Sequence, residues 1–442
     1  MRVLYTLLLL VLLTVPAGAT EIKRVVSPGG IEAWLVEDHK NPIITVDVTF
    51  LGGGGLDPSG KEGRARLVAG TLDEGAGDLD SSAFQKALED NAIKLSFSAR
   101  TDSFSGSLST LTNVSDEAFR LMRLALTQAR FDAEPLSRMR SQIQASIRNR
   151  WRRPNSIASR TWWRAAFPDH PYGRPRDGSI ESVGRVEAED LRAFTKAVFA
   201  RDRIYVSVVG DITAQRLAKV LDEVFGGLPK TAAGDPTSDR ALASASELMV
   251  VKQPVPQSVV IFGHEGIRRD DPDWYAATVL MEIMAGGFGS RLTREIREKR
   301  GLTYGVYAYL LPLKHSSLIM GGVSTQNARV AESIRLVREV WRDFAETGPT
   351  DEEVADAKTY INGSFPIRFT NSSGIAGFLT AVQRHKLGID YIDRRAGLID
   401  GVSTQDLKRV ARRLFKADRL SFVVVGDPEG LTPTREAPAS GG

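Results

Sequence analysis

The feature that most constrains the fold is an internal repeat. Residues 186–211 align without gaps with residues 402–427, at an offset of 216, and ten of the 26 positions are identical. Each copy predicts an amphipathic helix, then a β-branched run (204–209 and 420–425), then a Gly-Asp turn. Such runs are typical of strands buried on both faces. The period is too long for a solenoid, so we expect a duplicated domain.

Hydrophobic periodicity outlines similar elements in both halves. In the first half it predicts strands at residues 31–37, 43–50, 94–99 and 103–111, and helices at 63–72, 81–90, 115–126 and 136–151. In the second half it predicts strands at 258–263, 304–311 and 317–324, and helices at 273–283, 330–346 and 351–365. Mixed runs of strands and helices favour the α+β class, with helices covering one sheet face in each half.

The boundary between the halves is marked by composition. A chain of 442 residues exceeds what one core usually covers. Residues 226–246 are rich in Gly, Pro, Ala and Ser and lack periodicity, as a linker does. We therefore predict domains at residues 20–225 and 247–431, followed by a polar tail at 432–442.

The N-terminus has the pattern of a secretory signal peptide. Arg2 precedes a short apolar run, and an Ala-x-Ala pattern predicts cleavage after Ala19. No later window is apolar and long enough for a bilayer span. The sequence has no cysteine, which excludes both a lipid-anchored signal and a disulfide framework. We expect residues 1–19 to be removed and the mature chain to be soluble, without a membrane anchor, in a bacterial periplasm.

The charge balance gives no sign of a nucleic-acid partner. The formal net charge is +4 and the excess is spread along the chain. One basic run, RNRWRR at residues 148–153, stands out. A solvated helix end accounts for it as well as a ligand would, and no recognition motif surrounds it. We expect no nucleic-acid binding.

Several motifs together resemble the insulinase/pitrilysin family of zinc metallopeptidases. These are HPYGR at residues 170–174, GGFGSRL at 286–292 and EIREKRGLTY at 295–304. The chain is most similar to small two-domain bacterial members and to mitochondrial processing peptidase subunits. The resemblance implies two αβ domains of similar shape. It also implies that two such units enclose a peptide-binding chamber, in which a zinc ion held by an H-x-x-E-H helix hydrolyses peptide bonds.

The resemblance also gives the metal site a definite place, and its residues are missing there. The two His ligands and the Glu base correspond to Arg66, Gly70 and Ala69, and the third ligand falls at Ser146. A catalytic zinc needs three protein ligands and an open position, and these residues supply none. We therefore expect no cofactor in this chain. Zinc is expected in a partner subunit.

The second half retains a pair of residues that active relatives use. Their C-terminal domain presents an Arg and a Tyr to the zinc site, and these correspond to Arg297 and Tyr304. A Tyr hydroxyl can donate to the oxyanion of peptide hydrolysis, and a fixed guanidinium can hold a substrate carbonyl. We expect a charged helix at residues 291–300, ended by Gly301, with a strand beginning near Tyr304.

Other candidate sites have structural interpretations. His170 lies in a Pro-Gly turn and is expected to satisfy local hydrogen bonds. The glycines at residues 52–55 are not followed by G-K-[ST], so we interpret this segment as a connecting loop. There is also no G-x-S-x-G elbow.

The leading hypothesis is a non-catalytic, substrate-binding subunit of a heterodimeric peptidase. Its partner would be a homologous chain that carries H-x-x-E-H, and its substrates would be peptides. The alternative is a peptide-binding or scaffold protein without a proteolytic role. A third possibility, an enzyme active alone, would require a site that the sequence does not predict.

Overall fold

Two mixed sheets organise the chain in the computed structural model, which describes residues 21–243 and 246–438. The predicted signal peptide at residues 1–19 lies outside these residues. Between Phe225 and Leu248, the described residues form no helix or strand. No helix within these ranges is both long and apolar enough to cross a bilayer.

The first sheet has six strands. In chain order the elements of this half are β1 (Lys23–Val26), β2 (Glu32–Glu37), β3 (Ile43–Leu51), α1 (Arg64–Thr71), α2 (Ser81–Asp90), β4 (Lys94–Ala99), β5 (Ser103–Leu111), α3 (Ser115–Thr127), α4 (Ala133–Trp151), α5 (Pro154–Ala166), α6 (Ile180–Gly184), α7 (Ala188–Val198), β6 (Ile204–Gly210) and α8 (Ala214–Phe225). The strand order is β1-β2-β6-β3-β5-β4, and only β2 and β6 pair in parallel.

The second sheet has five strands. Its half contains β7 (Leu248–Lys252), β8 (Gln257–Glu265), α9 (Trp274–Ala285), a π-helical turn (Thr293–Glu298), β9 (Val306–Pro312), β10 (Ser317–Gln326), α10 (Val330–Thr347), α11 (Asp351–Gly363), α12 (Ser372–Arg384), α13 (Tyr391–Asp400), α14 (Thr404–Leu414) and β11 (Ser421–Gly426). The order β7-β11-β8-β10-β9, with one parallel pair between β7 and β11, repeats the order β2-β6-β3-β5-β4. The structure thus has the α+β architecture that the internal repeat predicts.

Each half also lends one helix to the other half's sheet. Most helices of a half pack on one face of its own sheet and form its main core. The opposite face of the second sheet is covered by α5, through Trp162, and that of the first sheet by α12, through Leu379. We had expected helices on one face of each sheet, so this reciprocal exchange is an addition that the sequence pattern did not indicate.

The observed element bounds correct two of the predictions. The predicted helix at 351–365 ends at Gly363 and is followed by a 3-10 helix (Phe365–Phe369), because Pro366 has no N–H with which to continue the α-helix. The predicted strand at 304–311 begins only at Val306, which leaves Tyr304 in the preceding bend. Strands β1 and β7 and helices α5 and α12 were not predicted.

Candidate functional site

The helix that would carry the zinc motif is anchored at its start by a buried carboxylate. Asp57 accepts hydrogen bonds from the backbone N–H groups of Gly63 and Ala65, at 3.0 and 3.1 Å. Burial raises the pKa of Asp57 to about 7, against the lowering effect of Arg64 and the backbone donors. These donors are among the N–H groups that a helix leaves unpaired at its N-terminus, so Asp57 fixes where α1 begins.

The four positions of the degenerate motif lie on α1 and α4, which pack together. Arg66 and Ser146 are exposed and Ala69 is buried. A Cβ atom at Gly70 would lie 2.7 Å from the Sδ atom of Met139 on α4, so the space of a second His ligand is filled by a thioether. Arg66, Ala69 and Gly70 offer no zinc ligand, and an imidazole at 70 would require Met139 to move. The donor set does not fit a catalytic zinc.

No substitute metal site lies elsewhere in the described ranges. Within residues 21–243 and 246–438, no group of three or more His, Cys, Asp or Glu side chains is arranged to hold a metal ion.

The His170 ring has the structural role that we expected. Its Nδ1 accepts from the backbone N–H of Tyr172 at 3.2 Å, and its Nε2 lies 3.1 Å from the carbonyl oxygen of Ser238. Burial lowers the pKa of His170, which favours the neutral ring that this arrangement needs. His170 therefore caps the turn that follows it.

Arg297 lies in the π-helical turn, within the region predicted as a charged helix. Leu292 and Ile296 are buried and fix this turn on the second core. Gly301, at φ 61°, donates its N–H to the carbonyl oxygen of Arg297 at 2.9 Å and ends the turn as predicted. The Arg297 guanidinium lies 4.9 Å from the ring centre of Phe288. The side chain is thus held by stacking on a ring.

Tyr304 projects into solvent from an anchored bend. Its side chain is 90% exposed. The neighbouring Thr303 is buried, and its hydroxyl donates to the carbonyl oxygen of Ser324 at 2.7 Å and accepts from the backbone N–H of Gly305 at 3.1 Å. These contacts keep the chain out of β9 at this point, which is why the strand begins later than predicted. The Tyr304 phenol is therefore exposed beside a hydrogen-bonded residue.

A groove runs beside α5 toward this bend. Its larger part is a cavity of about 440 Å³ between the end of α4, α5 and residues 171–178. Its smaller part, of about 240 Å³, extends over β9 and β10 to Gly305, next to Tyr304. The two parts share the side chains of Asn155, Ser159 and Trp163 on α5. The groove therefore connects the surroundings of α4 with the rim on which Tyr304 stands.

The larger cavity is more basic than the sequence indicates. Arg150, which we interpreted as part of a solvated helix end, lines the cavity and forms an ion pair with Asp177. Burial would raise the pKa of Asp177, but Arg176, Arg150 and Arg66 outweigh it and hold that pKa below its usual value. The run at residues 148–153 was the available signal.

Comparisons with known proteins show similarity to one family. A model described as peptidase M16 inactive domain matches residues 185–361. A "non-peptidase homolog YmxG" of Helicobacter pylori is 28% identical over 368 residues, covering 83% of this chain and 85% of that protein. An uncharacterised zinc protease of Bacillus subtilis is 25% identical and covers 69% of this chain and 73% of its own length.

A solved structure agrees with these sequence relatives. The crystal structure of a peptidase M16 inactive domain from Pseudomonas fluorescens superposes with a TM-score of 0.87 at 26% identity, over 94% of this chain and 100% of that one. The chain is homologous to peptidase M16 proteins, the insulinase/pitrilysin family that its motifs resemble. The comparisons support a non-catalytic member, in keeping with the missing ligand set on α1 and α4.

Proposed function

We propose that this chain is the non-catalytic, substrate-binding subunit of a heterodimeric zinc metallopeptidase. The zinc is supplied by a homologous partner chain that carries H-x-x-E-H, and Arg297 and Tyr304 complete the partner's site in trans. The observation that carries the proposal is the phenol of Tyr304, which is 90% exposed on a buried, hydrogen-bonded bend. An exposed side chain on a rigid support suits a group that acts on a neighbouring chain.

The chemistry assigned to the pair follows from the charge that develops during peptide hydrolysis. Attack of water on the scissile carbonyl forms a tetrahedral oxyanion, to which the Tyr304 hydroxyl donates a hydrogen bond. The Arg297 guanidinium holds a carbonyl of the bound peptide with donors in fixed directions. Neither group binds the metal or activates the attacking water, because both functions belong to the partner chain.

The place of action follows from the predicted signal peptide at residues 1–19. Cleavage there would deliver the mature chain, which has no cysteine, to the periplasm. The partner is then an exported chain of the same host, and the substrates are peptides present in that compartment.

The test is peptide hydrolysis by the mature chain, by its H-x-x-E-H relative from the same host, and by the two mixed, with zinc supplied. We expect activity in the mixture well above that of either chain alone. A double variant, Arg297→Ala with Tyr304→Phe, should lower the rate of the mixture by about 100-fold, because it removes an oxyanion donor and a carbonyl ligand.

The control is the variant Arg300→Ala with Tyr360→Phe, which removes an exposed Arg and an exposed hydroxyl from the same half. It should leave the rate unchanged. If the mixture is no faster than the relative alone, the heterodimer proposal fails for that pair, and a peptide-binding or scaffold role without proteolysis becomes the better explanation.

A further inference from the structure

The larger cavity of the groove carries a surplus of positive charge. Two carboxylates line it, and so do four guanidinium groups, which leaves two positive charges uncompensated. The four arginines are Arg150, Arg160, Arg174 and Arg176, and the carboxylates are Glu62 and Asp177. A cavity of this kind attracts anions, because a concave wall of low polarisability focuses the field of its charges.

Three of these arginines already have carboxylate partners. Arg150 pairs with Asp177, and the Nε atom of Arg176 lies 3.6 Å from the same carboxylate. Arg174 reaches Glu62 at 3.7 Å. These pairs hold the cavity wall together, and one positive charge remains among them because Arg150 and Arg176 share Asp177.

Arg160 on α5 differs from the other three. Within residues 21–243 and 246–438 no carboxylate lies at ion-pair distance from it, and no acceptor contacts its solvent-shielded Nη1 atom. Its guanidinium stacks on Trp151, 4.8 Å from the ring centre. A stacked guanidinium is fixed in direction and keeps its donors available along its edge.

The rest of the wall is aromatic. Trp151, Trp163 and Tyr172 line the cavity, and the Tyr172 hydroxyl is fixed by donation to Asp102 at 2.8 Å. Trp163 also lines the smaller part of the groove, so a peptide in that part passes beside the larger cavity. A basic, aromatic pocket beside a groove suits a carboxylate carried on a short apolar stem.

We propose that this cavity binds the side-chain carboxylate of an acidic residue in a peptide that lies along the groove, with Arg160 as the cation that pairs with it. The inference rests on the proposed function, which makes the groove a peptide site, and it adds a preference for acidic peptides. It gives the basic run at residues 148–153 a role, because Arg150 and Trp151 form part of the cavity wall.

The test is fluorescence anisotropy with the mature chain alone and the labelled peptide Ala-Ala-Phe-Glu-Ala-Ala-amide. Its counterpart has Gln in place of Glu. A third peptide has Gln together with a free terminal carboxylate. We expect the Glu peptide to bind about tenfold more tightly than the Gln peptide, the size of one charge-assisted hydrogen bond. Arg160→Gln should abolish this preference, and Arg160→Lys should retain part of it.

The matched control is Arg148→Gln, which removes an exposed guanidinium from α4 that does not line the cavity. It should keep the preference. Equal binding of the Glu and Gln peptides overturns the acidic preference but leaves the groove as a peptide site. Equal binding of the third peptide and the Glu peptide assigns the cavity to a chain terminus instead. No binding of any peptide overturns the inference, while the mixing experiment decides the proposed function separately.

Discussion

The two exchanged helices do the same task with different chemistry. Helix α5 covers the second sheet through an apolar interface in which the Trp162 indole packs closely against Gly263. Helix α12 covers the first sheet partly through buried polar contacts, in which Gln383 donates to the carbonyl oxygen of Val206 and to the Ser207 hydroxyl. The two halves therefore share one architecture, but different interactions stabilise the two exchanged helices.

Because of this difference, substitutions should destabilise the protein to different extents at the two interfaces. An apolar interface loses both buried area and packing when a large side chain is removed, and the loss scales with the cavity left behind. A buried polar contact contributes little beyond what water would give, but a partner left unpaired is costly. Substitutions in α5 should therefore cost more than substitutions of similar extent in α12.

The largest effect is expected at Trp162. Trp162→Ala should lower the free energy of unfolding by about 3–5 kcal/mol, because it removes a fully buried indole between the halves. Urea denaturation followed by circular dichroism measures this loss. Trp162→Phe is the control and should cost clearly less. It loses the hydrogen bond from the indole N–H to the Ser421 carbonyl oxygen, but only part of the buried volume. Equal costs for the two variants would mean that packing does not dominate this interface.

The next effect concerns a position at which the two sheets differ. Phe50 is the last residue but one of β3, and His264 has the same place in β8, the equivalent strand. The His264 Nε2 accepts from the Trp341 indole N–H at 2.9 Å, and its Nδ1 donates to the Glu265 carbonyl oxygen at 2.6 Å. Burial lowers the pKa of His264 to about 4, so the second core contains a neutral imidazole where the first has a phenyl ring.

Lowering the pH should expose this difference. Between about pH 6.5 and 4 the unfolded chain binds a proton at His264 that the folded chain does not, so its contribution to stability is lost as the pH falls. As the pH falls through that interval, the unfolding free energy of His264→Phe should rise by about 3 kcal/mol relative to that of wild type. This is the free-energy equivalent of the pKa shift. The measurement is the difference in unfolding free energy between variant and wild type at each pH.

The unfolding free energies of variant and wild type are compared at each pH because other groups titrate in the same pH interval. Burial raises the pKa of Asp57 to about 7 and that of Asp73 to about 6, which makes folding more favourable as the pH falls. His39→Gln is a control of opposite sign, because a hydrogen bond to Asp211 raises the pKa of His39 and its contribution is lost as the pH rises. A difference for His264→Phe that does not change with pH would contradict the assignment.

A smaller effect is expected in the polar interface. Gln383→Met should cost about 1–3 kcal/mol, because it leaves the buried Val206 carbonyl oxygen without its donor. The same urea experiment measures it, with Gln405→Met on the exposed face of α14 as a control that should cost little. A cost as large as that of Trp162→Ala would remove the contrast between the two exchanged helices.

The sequence predicted those parts of the fold whose signals are local. The predicted bounds of α2, β4 and β5 match the structure, because Asp80 caps the helix and polar residues alternate with apolar ones in the strands. The exchange of α5 and α12 could not be predicted in this way. An apolar helix face indicates burial, but not whether the sheet that it covers lies in its own half.

For the candidate site too, the sequence indicated positions but not the contacts between distant residues. The resemblance placed Arg297 and Tyr304, but the bend at Tyr304 depends on a contact from Thr303 to Ser324 across the sheet. The basic run at residues 148–153 gave no indication that Arg150 turns inward, because Asp177, its partner, comes from a distant loop. Features that depend on side chains far apart in the sequence are those that periodicity does not reveal.

The smallest effect is expected at Tyr304, and it contrasts with the effect of a substitution at Gly70 in the degenerate zinc motif. Tyr304→Phe should change the unfolding free energy by no more than about 0.5 kcal/mol, because the hydroxyl is exposed and supports no packing. Gly70→His, which rebuilds a ligand position of the first half, should cost about 1–3 kcal/mol, because its Cβ meets Met139. Thermal unfolding of both variants measures the contrast. A marked loss of stability in Tyr304→Phe would give Tyr304 a structural role, and any fall in the rate of the mixture would then need no functional explanation.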